Sequence, residues 1–290
     1  MVAARMEKDK TPSTKIEKGK TPNVNQVWLS LLEEIMIRGQ ECAPRGKAIK
    51  ELLGYQTKIS MRSPVVTVAA RRLGYRFAAA EAAWILSGDN RVSTIAPYAS
   101  HISQFSDDGL RFFGAYGVKV VDQLPYVCEA LAKDPDTRQA VINIWRESPR
   151  PSKDIPCTLS LQWLIRDGSL HCLDTMRSSD AWLGWPYDVI NMSLISAYIR
   201  LVLKTRYGVE VGLGDLTLTA GSQHLYADNW PAVQKILAGD DLALPTPDLQ
   251  VALENIPLIA LNTENLVSCL WHMANHGGLL DGMSLAEKGL

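Results

Sequence analysis

Apolar positions recur with helical spacing from Val24 onward, and Trp28, Leu31, Leu32, Ile35 and Met36 fall on one face. Ahead of them, residues 1 to about 23 are rich in Lys, Glu, Thr and Pro and almost free of large apolar groups. Such a segment cannot offset the entropy lost on ordering, which predicts a mobile tail before a folded unit spanning 24–290. Residues 40–56 read as a loop leading into a short segment. The run Pro-Val-Val-Thr-Val-Ala-Ala at 64–70 reads as a strand. Arg76 to Ser87 is Ala-rich and predicts a helix ended by Gly88. Residues 89–116 are irregular, with Gly109, Gly114 and Gly117 as breaks, and Val118 to Lys133 predicts a further helix.

The texture then turns β-rich. Gln139 to Trp145 is one such run. Thr158–Arg166 and Ser169–Thr175 read as two strands joined by Asp167-Gly168, a dipeptide that suits a tight hairpin turn. Residues 176–187 read as a polar and aromatic loop. Asp188 to Tyr207 predicts a long apolar helix, Asp215 to Thr219 a strand, and Asn229 to Ala238 a helix. No repeat or linker divides the chain. The pattern predicts one α/β domain with a mostly buried sheet.

Composition narrows the function classes. The net charge is −1, so no global basic field exists to track nucleic acid, and direct nucleic-acid binding is not expected. No apolar run approaches the roughly 18–20 residues that span a bilayer, and the N-terminus has no apolar signal segment. The five cysteines, Cys42, Cys128, Cys157, Cys172 and Cys269, are scattered and form no Cys-x-x-Cys pair. That argues against a disulfide framework and a zinc site, and for a reducing, cytoplasmic setting.

Four clusters carry candidate chemistry. Ile155-Pro156-Cys157 precedes a predicted strand, where a thiol is more often a small core filler. Met176-Arg177-Ser178-Ser179-Asp180 places a guanidinium fork beside a hydroxyl, as a phosphate requires, though a surface ion pair reads equally well. In Gly184-Trp185-Pro186-Tyr187-Asp188 an acid opens a helix, and its plainest role is an N-cap. Gly221-Ser222-Gln223-His224-Leu225-Tyr226 follows a predicted strand, and a lone His is more often structural than catalytic.

In order and spacing, these clusters together resemble the thymidylate synthase family, with its Pro-Cys-His, Gln-Arg-Ser-x-Asp, Gly-x-Pro-x-Asn and Gly-Asp-x-His-x-Tyr segments. Upstream, Glu81-Ala-Ala-Trp-Ile-Leu-Ser-Gly-Asp89, Gly114-Ala-Tyr-Gly117 and Asp134-Pro-Asp-Thr-Arg138 match further family segments, so the resemblance covers roughly residues 25–235. It implies a single domain built on a large mixed sheet packed by helices. Three departures, Asp188 for Asn, Met176 for Gln and Ser222 for Asp, resemble the deoxycytidylate hydroxymethylase branch. Elsewhere Thr158 replaces the family's His, Gln139 its second Arg, and Ile102 lies near the place of an active-site Trp. The C-terminus also lacks the usual apolar tail.

The resemblance implies that Cys157 attacks carbon 6 of a pyrimidine nucleoside monophosphate, activating carbon 5 toward a one-carbon unit from the co-substrate 5,10-methylenetetrahydrofolate. Arg177 would lower the thiol pKa. Asp188 would read a cytosine edge, and Glu81 and Tyr116 would organise water and proton transfer. Arg45, Arg138, Arg177 and Ser178 would hold the 5′-phosphate, His224 and Tyr226 the sugar, and Asp180 the pterin. The match at Arg138 implies a homodimer with shared phosphate sites. Water capture of the methylene intermediate would give a 5-hydroxymethyl nucleotide, and hydride a methyl group. A ribonucleotide hydroxymethylase and a non-catalytic nucleotide-binding relative are the remaining alternatives.

Overall fold

A computed structural model describes residues 23–239 and 263–276. The tail expected before residue 24 and the C-terminal segment lie almost wholly outside the described residues. Helix α1 (Val24–Arg38) opens with a capping box, in which the Asn23 side chain accepts from Asn25 N–H and Gln26 reaches back. Its inward face is the predicted one, with Trp28, Leu31, Leu32 and Ile35 buried.

One six-stranded mixed sheet organises the chain. Its strands are β1 (Gln40–Cys42), β2 (Ile49–Ser60), β3 (Val141–Asn143), β4 (Thr158–Arg166), β5 (Ser169–Asp180) and β6 (Gly212–Tyr226), in the order β1-β2-β6-β5-β4-β3. Only β5 and β6 pair in parallel. The β4–β5 hairpin turns at Asp167-Gly168, and both residues have the positive φ (49° and 69°) that a tight hairpin turn demands. Along β5, Leu170, Cys172, Asp174 and Met176 alternate inward onto helices α2 (Tyr75–Leu86), α4 (Tyr116–Lys133) and α5 (Trp185–Tyr207). Short α3 (Val92–Ile95), α6 (Trp230–Ala238) and α7 (Thr263–His276) complete the described helices.

Several sequence expectations are corrected. Residues 40–56 hold β1 and most of the twelve-residue β2 rather than a loop. The segment 64–70 forms no strand: Thr67 N–H donates to Asn25 Oδ1 (2.8 Å), and Asn25 Nδ2 donates to Thr67 Oγ1 (2.9 Å). The Asn25 amide thus meets one backbone N–H of the segment and the Thr67 hydroxyl, while Val65, Val66 and Val68 fill the core. Strand β5 runs on through Met176–Asp180, which was read as loop, and β6 reaches Tyr226. The Met176–Asp180 and Gly221–Tyr226 clusters therefore stand on adjacent parallel strands.

Three buried tryptophans lock this frame. Trp28 Nε1 donates to Ala181 O (2.8 Å), Trp185 Nε1 to Thr57 Oγ1 (3.0 Å) and Trp163 Nε1 to Ser196 Oγ (2.8 Å). They tie α1, β2 and β4 to the turn and helix that follow β5, and each buried indole N–H is satisfied. No described helix is long and apolar enough to cross a membrane.

Candidate active site

Cys157 lies one residue ahead of β4, beside the C-terminal half of β5. Arg177 on β5 fixes it there. Its backbone N–H donates to Cys157 O (2.8 Å), Nε to Pro156 O (2.9 Å) and Nη2 to Ile155 O (3.0 Å). Arg177 Nη2 and Ser178 Oγ stand 3.7 and 3.6 Å from Cys157 Sγ. On the other side, Tyr116 at the start of α4 accepts a hydrogen bond from Thr158 N–H (3.1 Å) through its hydroxyl.

The expectation of a thiol pKa lowered by Arg177 is corrected. Burial pushes the Cys157 thiol above its ordinary value, and the carboxyls of Asp188 and Asp154 add to the effect; Arg177 and Ser178 oppose it without prevailing. Two of the guanidinium nitrogens donate to the Pro156 and Ile155 carbonyls, and desolvation of the thiol outweighs the positive charge held beside it.

Asp188 and Glu81 form the opposite wall. Asp188 is not an N-cap: Gly184 occupies that position, and Asp188 sits in the first turn of α5. Burial, reinforced by Asp180, raises its carboxyl to about 7. Glu81 on α2 accepts from Asn191 Nδ2 (2.8 Å), yet burial still raises it to about 7. Burial also holds the Tyr116 phenol well above its usual range, with the Cys157 and Asp188 charges adding to it. A cavity of about 200 Å³ opens among Glu81, Tyr116, Asp154, Asp188 and Asn191, with Trp84, Ile102, Phe105 and Phe112 as its apolar side. Trp84 Nε1 and Asn191 Oδ1 are buried without a protein partner among the described residues, and both residues line this cavity.

Asp180, at the end of β5, accepts from Trp182 and Leu183 N–H (2.8 and 2.9 Å) and so shapes the turn into α5. Arg71 braces the same turn, donating from Nε to Trp182 O (2.9 Å) and stacking over Trp182 and Tyr187. His224 pairs in register with Asp180 across the parallel strands and meets Tyr226 edge to face at 5.2 Å. Arg45 occupies the turn before β2, with a left-handed φ of 55°, two residues from Lys47, which lies over the Tyr226 ring. Arg138 stands apart, exposed just before edge strand β3. The fold thus gathers Cys157, Arg177, Ser178, Glu81, Tyr116, Asp180 and Asp188, sets His224, Tyr226 and Arg45 along the adjoining strands, and leaves Arg138 outside.

Three polar residues of the region had escaped notice in the sequence: Asp154, Asp174 and Asn191. Asn191 follows Asp188 by three positions, the spacing of one helical face. Asp174 alternates inward with Cys172 and Met176 on β5. Among the described residues no group is arranged to hold a metal ion.

Comparison with known proteins agrees with this geometry. The thymidylate synthase family profile matches residues 26–267. The deoxyuridylate hydroxymethyltransferase of Bacillus phage SP01 is 32% identical over 229 residues, covering 71% of this chain and 58% of that protein. The chain therefore spans less than two thirds of the length of this relative.

Asp174 generates a stability prediction. Among the described residues neither of its carboxylate oxygens has a hydrogen-bond partner of good geometry, and burial, reinforced by Asp188, raises it well above the carboxylate range against the lowering effect of nearby Thr158. The folded chain thus keeps a proton that the unfolded chain loses near pH 4, and stability falls as pH rises through that window. Asp174→Asn removes the titration. Its gain in unfolding free energy over the unmutated protein is expected to grow by more than about 1 kcal/mol between pH 5 and pH 8. Urea denaturation at the two pH values measures this, and a gain independent of pH would contradict it.

Proposed function

Because the chain belongs to the thymidylate synthase family, we propose that it transfers a one-carbon unit to carbon 5 of deoxycytidylate, with Cys157 as nucleophile, and releases the 5-hydroxymethyl nucleotide. The observation that carries the choice of base is Asp188, a buried acid in the first turn of α5 whose carboxyl is raised to about 7. Cytosine presents an acceptor at N3 and a donor at its amino group. A neutral carboxyl donates to the first and accepts from the second. As the sulfur of Cys157 adds at carbon 6, negative charge flows toward N3, and the Asp188 proton is placed to neutralise it.

The remaining residues take compatible roles. Arg177 and Ser178 hold the 5′-phosphate beside the nucleophile, with Arg45 as a further cation. His224 and Tyr226 receive the sugar hydroxyl. Glu81 and Tyr116 handle the proton released from carbon 5. The apolar side of the cavity, Trp84, Ile102, Phe105 and Phe112, suits the flat ring of a folate, and Asp180 stands at the adjoining turn. Bound there, 5,10-methylenetetrahydrofolate would supply the one-carbon unit. Water rather than hydride as the final nucleophile is supported by the name of the phage relative and by the acid-lined cavity.

A second reading takes uracil as the base. The relative's name favours it, and a neutral Asp188 could also donate to O4 and accept from N3–H. The two readings separate in kinetics. The unmutated chain is expected to favour dCMP over dUMP in kcat/KM and to add one CH₂O to its product. Asp188→Asn is expected to move the preference toward dUMP by roughly 10²–10³, about 3–4 kcal/mol of differential transition-state binding. A preference of the unmutated chain for dUMP, or an unchanged ratio in the variant, would remove the cytosine assignment.

The active unit in this reading is a homodimer in which Arg138 completes the phosphate site of a second copy. Its exposure and its place outside the Cys157 cluster support this. Mixing inactive Cys157→Ala with inactive Arg138→Ala chains should restore about a quarter of full activity, since half of the dimers are hybrids with one intact site each. No recovery after subunit exchange, or a fully active monomer in sedimentation, would count against sharing.

A further inference from the structure

The cavity beside Cys157 contains an acid that the reaction outlined above leaves without a task. Asp154 lies three residues before the nucleophile and lines the same space as Glu81, Tyr116, Asp188 and Asn191. Its position is rigidly set. Gly114 N–H donates to its Oδ2 (2.7 Å), and its own N–H donates to Ser152 Oγ (3.0 Å). The loops meet so closely that a Cβ on Gly114 would stand 2.7 Å from Asp154 O and 2.9 Å from Pro156 N. Among the described residues no donor reaches Asp154 Oδ1.

This acid carries a cost for the first chemical step. Its charge disfavours the Cys157 thiolate, adding to the effect of burial. A carboxylate that hinders attack at carbon 6 is more useful later, once the thiol is committed. The other acids are already engaged: Glu81 with Asn191 (2.8 Å) and Asp188 with the base edge. The cavity, at about 200 Å³, is large enough to hold water next to its acids, since one water takes roughly 30 Å³. On its apolar side Ile85, Ile102, Phe105 and Phe112 offer water no polar anchor, and Trp84 offers only its unpartnered Nε1–H, a donor that cannot take up a proton, so the groups that can deprotonate a water lie on the acid side.

We infer that Asp154 is the catalytic base that holds and deprotonates the water capturing the one-carbon unit, and so directs the reaction to the hydroxymethyl product. The inference rests on the proposed function and assigns its last step. The water oxygen bonds to the exocyclic methylene carbon, and its proton passes to Asp154. The electron pair of the exocyclic double bond moves to rebuild the bond between carbons 5 and 6. The bond from carbon 6 to sulfur breaks, and the thiolate of Cys157 leaves. No oxidant or reductant is consumed. Burial pushes the Asp154 carboxyl up from the usual range, which strengthens it as a base.

The test uses the full chain with 5,10-methylenetetrahydrofolate and whichever of [5-³H]dCMP or [5-³H]dUMP it turns over. Tritium release reports every step up to loss of the carbon-5 proton, and mass spectrometry reports the product. Asp154→Asn keeps an acceptor for Gly114 but loses the base. It is expected to form the hydroxymethyl nucleotide about 10²-fold more slowly while tritium release falls less than about 5-fold. Added 2-mercaptoethanol should then intercept the methylene as a thioether. Asp154→Glu, which retains a carboxylate, is expected to recover part of the hydroxymethyl product. Parallel loss of tritium release and product in Asp154→Asn, or product formation at the unmutated rate, would overturn the inference. An unmutated chain that makes only a methyl product would overturn both readings, whereas failure of Asp154 alone shows only in the partition of the variant.

Discussion

Desolvation of acids around a single thiol is the constraint on which the active region depends. Glu81, Asp174, Asp180 and Asp188 are all shifted upward by burial. In water these groups would be ionised and mutually repulsive at neutral pH. Withdrawn from water, each binds its proton more tightly, so the interior can carry the group without a full set of matching cations. The same environment keeps Cys157 protonated. A pocket of this kind is poorly suited to storing a reactive thiolate, but it can donate and accept protons near pH 7, where Glu81 and Asp188 titrate. In the proposed reaction, reactivity at Cys157 follows from the bound nucleotide, whose engagement of Asp188 would relieve that residue's effect on the thiol.

Such a pocket needs a rigid frame, because misplaced acids would simply repel one another or admit water. Strands β5 and β6 supply it. Their parallel register sets Ser178 beside Ser222 and Asp180 beside His224, so the polar residues proposed for phosphate, sugar and cofactor follow one ladder. Arg177 cross-links this ladder to the Cys157 segment through three hydrogen bonds. Trp28, Arg71 and Asp180 fix the turn that delivers Asp188 at the correct depth in α5. Stability and chemistry share these contacts, so a change at Arg177 removes more than a positive charge.

The parts of this frame that were legible in the sequence were those with a strong local signal. The Asp167-Gly168 hairpin needed two residues tolerant of positive φ, and they were visible. Helix α1 shows an apolar stripe at helical spacing, and α2 is marked by its run of alanines. The long strands were read too short because their C-terminal halves carry polar residues facing the site, so Met176–Asp180 and Ser222–Tyr226 resembled loops. The valine run at 64–68 points in the opposite direction: it is buried like a strand, but it pairs with no strand, and its Thr67 N–H is met by the amide of Asn25. The ordered clusters around Cys157 pointed to the family, since that pattern spans many separated positions. Asp154, Asp174 and Asn191 escaped because each is a single polar residue whose meaning arises only when distant segments are packed together.

The central claim is covalent attack by Cys157 on a cytosine nucleotide, and a mechanism-based adduct tests it most directly. With 5-fluoro-dCMP and 5,10-methylenetetrahydrofolate, fluorine cannot leave carbon 5 as a proton does, so the reaction should stop at the covalent stage. Mass spectrometry of the denatured protein and its peptides would then be expected to show one nucleotide and one folate per reacting site, attached at Cys157, with no comparable adduct from 5-fluoro-dUMP. An adduct at another residue, or none at all from a folded chain that binds the nucleotide, would contradict the account of Cys157. An adduct formed only with 5-fluoro-dUMP would leave the nucleophile standing and contradict the choice of base.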